Sequence, residues 1–165
     1  MLKFGLRRCH FDHSMFSHTS TRGKILLIVY VDDIIITSDD KKGIDDLKRY
    51  LQNSFRTKDM GKLRYFLGIE IAQSKEDISL SQMKYVLDIL KETGLLGSKP
   101  IETPMDPNVK LYEDQEELLS NPKRYHRLVG KLNYLTITRP DISFVVSVLS
   151  QHMKDPLLPH WEAII

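Results

Sequence analysis

Two adjacent carboxylates, Asp32 and Asp33, are the residues of this sequence whose spacing most directly suggests chemistry. They follow the apolar run KILLIVY and precede three consecutive isoleucines at residues 34–36. Adjacent ionised carboxylates repel each other, and removing them from water adds a further cost. A divalent cation offsets this cost, and Mg²⁺ binds through a few carboxylates together with substrate phosphates. Paired ions of this kind stabilise the attacking and leaving oxygens in nucleotidyl transfer.

An exposed turn that is acidic by chance is the alternative explanation for this pair, because most Asp side chains lie at protein surfaces. The apolar residues at 25–31 and 34–36 instead favour a buried hairpin with both carboxylates near its tip. The turn lacks the Asn-Gly or Asp-Gly pair that two-residue hairpin turns prefer. Ordinary turn chemistry therefore does not explain Asp32 and Asp33.

The composition is that of an ordinary globular domain. The chain has 165 residues, 41% hydrophobic and 28% charged, with a net charge of +2, which is too small to indicate a nucleic-acid partner by itself. The single cysteine, Cys9, has no partner for a disulfide or a zinc site. His10, His13 and His18 lack metal-ligand spacing and are interpreted as surface residues.

No membrane partner is expected from the sequence. The longest apolar stretch, residues 25–36, is too short to cross a bilayer and contains two carboxylates. The basic first 24 residues resemble a transit peptide only weakly, and they lack the apolar core of a secretory signal. An organellar location stays open beside a cytoplasmic particle or the nucleus.

The first half of the chain predicts strands and one helix. Residues 24–30 are expected to form a strand buried on both faces. A helix of roughly 14 residues is expected to start near Asp40, and its apolar stripe is Ile44, Leu47, Leu51 and Phe55. Residues 63–72 alternate in polarity, which predicts one strand that pairs back with residues 78–80.

The second half predicts helices. A helix capped by Ser81 is expected to end at Gly94, with apolar positions Met83, Val86, Leu87 and Leu90. Residues 97–122 hold four of the seven prolines and an acidic patch at 113–117, which indicate a surface connection. Helices are then expected over residues 123–138, over 140–152 and from 159. The order of elements predicts the α+β class.

The helix over residues 123–138 has two distinct faces. Tyr125, Leu128, Val129, Leu132 and Leu135 form a core stripe, and Gly130, Asn133, Tyr134 and Ile137 lie opposite. Residues 121–140 contain no acid but five basic side chains, namely Lys123, Arg124, Arg127, Lys131 and Arg139. This pattern suits contacts with phosphates. The alternative is ordinary helix packing with a solvated basic face.

Five segments, in this order, resemble the reverse transcriptases of copia-type (Pseudoviridae-like) LTR retrotransposons. They are LLIVYVDDIIITSDD, KDMGKLRYFLGIEI, ISLSQMKYVLDIL, RLVGKLNYLTITRPDISF and LSQHMKDPLLPHWEAI. The resemblance covers nearly the whole chain. It implies an RNA-directed DNA polymerase whose palm hairpin carries the YVDD motif and whose helical thumb follows.

The resemblance also implies roles for individual residues. Asp32 and Asp33 match the palm carboxylates that bind Mg²⁺ (or Mn²⁺). The residues expected to contact the template–primer duplex are Tyr30 beside them, Leu67 and Gly68 of the primer-grip hairpin, and Arg127, Gly130, Lys131, Asn133 and Tyr134 of the thumb helix. The remaining substrate is a dNTP. The expected domains are palm at 1–80, an outgoing helix at 81–96, the connection at 97–122 and a thumb at 123–165, truncated at its end.

The family site needs a third carboxylate on an earlier palm strand, and only Asp12, in a different motif, precedes the YVDD turn. The fingers, the first half of the palm and the ribonuclease H are expected to be missing partners. The expectation is therefore a polymerase fragment that is inactive alone. The alternatives are a non-catalytic remnant, a nucleic-acid-binding protein and an unrelated metal-binding module. The last lacks any ligand cluster beyond Asp32 and Asp33.

Overall fold

The computed structural model describes residues 4–105, 111 and 117–165. Most of the predicted acidic patch, residues 113–116, and part of the predicted connection lie outside the described residues. The chain divides into two compact units, Met1–Phe66 and Leu67–Ile165. The described residues form a mixed α+β fold with two antiparallel sheets and five α-helices, so the predicted fold class is confirmed.

The first unit is built on a four-stranded antiparallel sheet. Its strands are β1 (Arg7–Arg8), β2 (Met15–Ser20), β3 (Gly23–Tyr30) and β4 (Asp33–Ser38), in the order β1-β2-β3-β4. The predicted hairpin of β3 and β4 is confirmed. The sequence did not predict β1 and β2, because β2 is mostly polar and shows no clear apolar alternation.

One helix covers one face of this sheet. Helix α1 (Lys41–Ser54) begins after Asp40, whose Oδ1 accepts a hydrogen bond from the Gly43 amide at 2.9 Å. The buried core lies between them and comprises Leu6, Ile25, Leu27, Leu47 and Leu51. The start and length of α1 agree with the prediction. The unit ends with the short strand β5 (Tyr65–Phe66).

The prediction that β3 is buried on both faces was wrong. Ile25 and Leu27 are buried, but Leu26 and Ile28, which alternate with them, are only half-buried. Successive side chains of a strand point to opposite faces, and α1 packs on the face of Ile25 and Leu27. In this unit the sheet therefore has one face covered by α1 and one uncovered face, on which Leu26 and Ile28 lie. The uncovered face is called the open face.

The second unit begins with a hairpin and continues in helices. Strands β6 (Ile69–Gln73) and β7 (Ile78–Ser81) pair antiparallel. Four α-helices follow, with a 3₁₀ turn at Pro140–Ile142 before the third. They are α2 (Met83–Thr93), α3 (Pro122–Leu135), α4 (Ser143–Ser150) and α5 (Leu158–Ile164). Thus α3 ends three residues earlier than predicted.

The predicted single strand over residues 63–72 was also wrong. Strand β5 ends at Phe66, β6 begins at Ile69, and Leu67 and Gly68 form a turn with φ of 51° and 80°. Positive φ at both central residues is typical of two-residue hairpin turns. Alternation of polarity did not reveal this turn, because Leu63, Tyr65, Leu67, Ile69 and Ile71 continue the period-2 pattern through it, although a two-residue turn reverses which positions share a face.

The face of α2 that packs on the core is shifted from the predicted one, although it includes the predicted Val86. Ile89 is buried, with Tyr85 and Val86 packed around it, whereas Met83 and Leu87 are exposed. The N-cap residue of α2 is Gln82, not the predicted Ser81. The Ser81 hydroxyl nevertheless accepts a hydrogen bond from the Met83 amide at 3.2 Å. Gly94 ends the helix with φ of 79°, as predicted.

The core of the second unit confirms the predicted stripe on α3. Tyr125, Leu128, Val129 and Leu135 are buried, and Leu132 packs at the edge. The Tyr125 hydroxyl donates to the Leu149 carbonyl at 2.7 Å, which satisfies both buried groups. Burial raises the pKa of Tyr125 to about 12. Within the described ranges, no helix is both long enough and apolar enough to span a bilayer.

Candidate functional site

The carboxylate pair lies at the tip of the β3–β4 hairpin. Tyr30 pairs with Asp33, so Val31 and Asp32 are the two residues of the turn. Val31 has φ of 51°. This left-handed conformation is rare for a β-branched residue and strained. The hairpin therefore turns tightly at the carboxylates without the glycine that normally permits such a turn.

The strand register places Asp33 on the open face of the sheet. Val29 and Ile34 pair with each other and pack against the α1 core. Because side chains alternate along a strand, Tyr30 and Asp33, the next pair outward, lie on the opposite face. Asp32, Asp33 and Tyr30 are all exposed, the last at 51%. A polar ligand can reach these side chains from solvent.

The pair supplies part of a metal donor set. Two exposed carboxylates fit a Mg²⁺ ion that also takes phosphate oxygens and water. In the part of the chain that the structure describes, no group of three or more His, Cys, Asp or Glu side chains is placed to hold a metal. A two-metal site needs more donors than the two carboxylates of Asp32 and Asp33 supply.

The second unit brings two of the other predicted segments together. The Tyr134 hydroxyl on α3 donates a hydrogen bond to the Leu67 carbonyl in the turn that Leu67 forms with Gly68. The Tyr134 ring also packs edge-on against Tyr85 of α2, with centroids 5.4 Å apart. Burial, followed by the neighbouring Tyr134, raises the pKa of Tyr85. The predicted primer-grip turn and the predicted thumb helix thus share a direct contact.

Arg127 and Lys131 converge on one carboxylate that the sequence did not indicate. Glu92 of α2 accepts from Arg127 Nη2 through Oε1 at 2.7 Å and from Lys131 Nζ through Oε2. The hydrogen bond from Lys131, and next the charges of both cations, hold the pKa of Glu92 below its usual value. Residues 121–140 contain no acid, but their basic side chains meet one from another helix. No spacing rule connects positions so far apart in the chain.

The exposed face of α3 is open at Gly130 and Asn133. Both residues are exposed, and a methyl group at Gly130 would meet no atom within 4 Å beyond its chain neighbours and the nearby backbone of its own helix. Glycine inside a helix costs about 1 kcal/mol relative to alanine. The packing of the described residues gives no reason for glycine here, whereas close approach of a ligand would.

The other basic side chains near α3 are partly engaged. Arg124 stacks over the Trp161 ring at 4.5 Å, and Arg139 forms a two-point ion pair with Asp141 at 2.7 and 2.9 Å. This pair lowers the pKa of Asp141. Lys123 is exposed at the start of the helix. The basic segment is therefore less strongly positive than its sequence alone suggests.

Two exposed carboxylates at a hairpin turn are suited to bind a divalent cation together with phosphate oxygens. A family model described as reverse transcriptase (RNA-dependent DNA polymerase) matches residues 1–107. The chain belongs to this reverse transcriptase family, and the resemblance to copia-type elements is confirmed by its relatives.

Two of these relatives are retrovirus-related Pol polyproteins of Arabidopsis thaliana. The polyprotein from transposon RE1 is 38% identical over 164 residues, and that from transposon RE2 is 40% identical over 153 residues. These alignments cover 99% and 93% of this chain but only 11% and 10% of the polyproteins. The chain therefore spans about a tenth of their length.

A third relative is an uncharacterized mitochondrial protein of Arabidopsis thaliana. It is 36% identical over 138 residues, which is 84% of this chain and 57% of that protein. No solved structure matches the chain.

Proposed function

We propose that this chain is the later part of the palm and the thumb of an RNA-directed DNA polymerase from a copia-type retrotransposon. The supporting observation is the β3–β4 hairpin, whose tight turn presents Asp32 and Asp33 to solvent in a chain of the reverse transcriptase family. In this proposal residues 1–80 belong to the palm, 81–96 lead out of it, 97–122 connect, and 123–165 belong to the thumb.

Asp32 and Asp33 would hold Mg²⁺ or Mn²⁺ in the complete polymerase. The bound ions supply charge that stabilises the primer 3′ oxygen, the dNTP phosphates and the leaving pyrophosphate. Tyr30 lies on the same face as Asp33 and in this proposal contacts the primer or the incoming nucleotide. A third carboxylate, the fingers and a ribonuclease H belong to the rest of a polyprotein in this proposal.

The second unit would hold the template–primer duplex. Arg127 and Lys131 contact phosphates, while Gly130 and Asn133 allow the exposed face of α3 to approach the groove closely. The turn of Leu67 and Gly68, tied to Tyr134 by its hydrogen bond, offers backbone groups to the primer end.

Primer extension by a polyprotein that carries this segment tests the catalytic role. With an RNA template, a DNA primer and Mg²⁺, Asp32→Asn is expected to abolish extension, because one essential metal ligand is lost. Asp45→Asn removes another exposed carboxylate, on α1, and is the matched control. Extension by the Asp32→Asn protein at the control rate would show that Asp32 is not a metal ligand.

For the isolated chain, we propose duplex binding without catalysis as the second candidate function. It is favoured by the solvent-accessible cations Arg127 and Lys131 of α3, which can contact phosphates without a complete metal site. The isolated 165-residue chain is then expected to bind an RNA–DNA duplex in low salt and to add no nucleotide to it. Nucleotide addition by the purified chain would contradict this candidate, and absence of binding in low salt would exclude it.

A further inference from the structure

The ion pairs between α2 and α3 engage the side chains that the proposed function assigns to nucleic-acid phosphates. The two oxygens of Glu92 are divided between the two cations, Oε1 to Arg127 and Oε2 to Lys131. A phosphate group contacts arginine and lysine in the same manner, through separate oxygens. Glu92 therefore occupies the donor groups that a duplex phosphate would use.

These ion pairs are not needed to hold the two helices together. Helices α2 and α3 already share an apolar core of Ile89, Leu128 and Leu135. The side chains of Arg127, Lys131 and Glu92 are 60%, 28% and 30% exposed, and solvent-exposed ion pairs contribute little to stability. The same exposure makes the cluster reachable by a ligand.

The carboxylate also changes the charge that a ligand meets. Two cations and one carboxylate leave one net positive charge on this face where the sequence of α3 alone predicts two. A phosphate that approaches Arg127 and Lys131 is repelled by Glu92, and the cations it contacts are already partly neutralised. Fewer condensed counterions are then released when the duplex binds.

We propose that Glu92 competes with duplex phosphates for Arg127 and Lys131. This competition weakens, and thereby sets, the affinity of α3 for the template–primer. The inference rests on the proposed function, because it takes Arg127 and Lys131 to be phosphate contacts. A polymerase has to move along its duplex after each nucleotide addition, and a moderate affinity for the duplex suits that requirement.

The test is the affinity of the 165-residue chain for a fluorescently labelled RNA–DNA duplex, followed by anisotropy from about 50 to 200 mM KCl. EDTA is present so that metal binding at the hairpin does not contribute. Glu92→Gln keeps the shape of the side chain and removes its charge. It is expected to bind about three- to fivefold more tightly and to steepen the salt dependence by about one phosphate contact.

Asp88→Asn is the matched control. Asp88 is an exposed carboxylate one turn earlier on α2, and no ion pair joins it to the described cations within 4 Å. Its loss is expected to change affinity far less than the loss of Glu92. Equal gains from both variants would attribute the effect to net charge alone and overturn the proposal.

A mutant cycle separates this inference from the proposed function. The gain from Glu92→Gln is expected to vanish when Arg127 and Lys131 are both changed to Gln, because Glu92 acts through them. If Arg127→Gln with Lys131→Gln does not weaken binding, the assignment of α3 to the duplex fails. If that pair weakens binding but Glu92→Gln leaves it unchanged or weaker, only the inference fails. Glu92→Ala supplies a second variant, and circular dichroism verifies the fold of each.

Discussion

Val31 stores strain next to the carboxylates of the candidate site. Its φ of 51° is a conformation that costs a non-glycine residue about 1–3 kcal/mol. The conformation persists because the pairing of Tyr30 with Asp33, and of the five residue pairs behind it, determines where the chain must turn. The rest of the hairpin therefore imposes the orientation of Asp32 and Asp33.

Replacing Val31 by glycine is expected to relieve this strain. The free energy of unfolding of the chain should rise by about 1 kcal/mol, since the relief exceeds the extra backbone entropy that glycine loses on folding. Urea unfolding measures the change. Thr37→Gly, at an exposed position of β4, is the control and should lower stability. A loss of stability in both variants would show that Val31 is unstrained.

At the scale of elements, α2 shows how a neighbour chooses between two apolar faces. The helix offers one stripe through Met83 and Leu87 and another through Tyr85 and Ile89. Packing against α3 buries Ile89 and leaves Leu87 45% exposed. Helical periodicity identifies both stripes, but only the position of the partner helix decides which is buried.

Alanine substitutions on α2 test this choice. Ile89→Ala is expected to lower the free energy of unfolding by about 2–4 kcal/mol, because it leaves a cavity in a packed core. Leu87→Ala should cost less than about 1 kcal/mol, as for other partly exposed apolar side chains. Thermal or urea unfolding distinguishes them. The reverse order would restore the face that the sequence predicted.

Local signals in the sequence were sufficient for several elements. The start of α1 near Asp40, the stop at Gly94, the β3–β4 hairpin and the buried stripe of α3 each depend on neighbouring residues, and each was predicted. Features set by tertiary contacts were missed. Glu92 meets α3 only after the chain has folded, and β2 is held by pairing with β3. The turn at residues 67–68 was hidden because apolar residues continue at every second position through it.

The candidate site likewise contains features that the sequence could predict and features that it could not. Asp32 and Asp33 could be identified from their types and surroundings, and the register then places Asp33 on the open face. The ion pairs of Arg127 and Lys131 with Glu92 could not be predicted, because an ion pair with an acid far away in the sequence leaves no periodic pattern. The catalytic and duplex-binding roles themselves stay predictions.

At the scale of the whole molecule, each unit has a core made from its own residues. Leu47 lies in the core of the first unit with Ile25 and Leu27, whereas the core of the second is built around Leu128 and Tyr125. The residues of each buried cluster all belong to one unit.

Hydrogen exchange is the measurement that resolves the units. Leu47→Ala is expected to cost about 2–5 kcal/mol locally and to speed amide exchange in β3 and α1, while the amides of α3 keep nearly their original rates. Lys42→Ala, at an exposed position of α1, is the control. Equal acceleration in α3 would show that the chain unfolds as a single cooperative body.

The two-residue turn at Val31 and Asp32 also limits how this segment can change over generations. A strand that slips by one residue turns every side chain to the opposite face, which would bring Asp33 into the α1 core and expose Ile34. Substitution at position 31 alters only the local strain, but insertion or deletion of one codon there disturbs the whole sheet. In descendants of this gene, the number of residues between Tyr30 and Asp33 should therefore be more strictly preserved than the identity of the first of them.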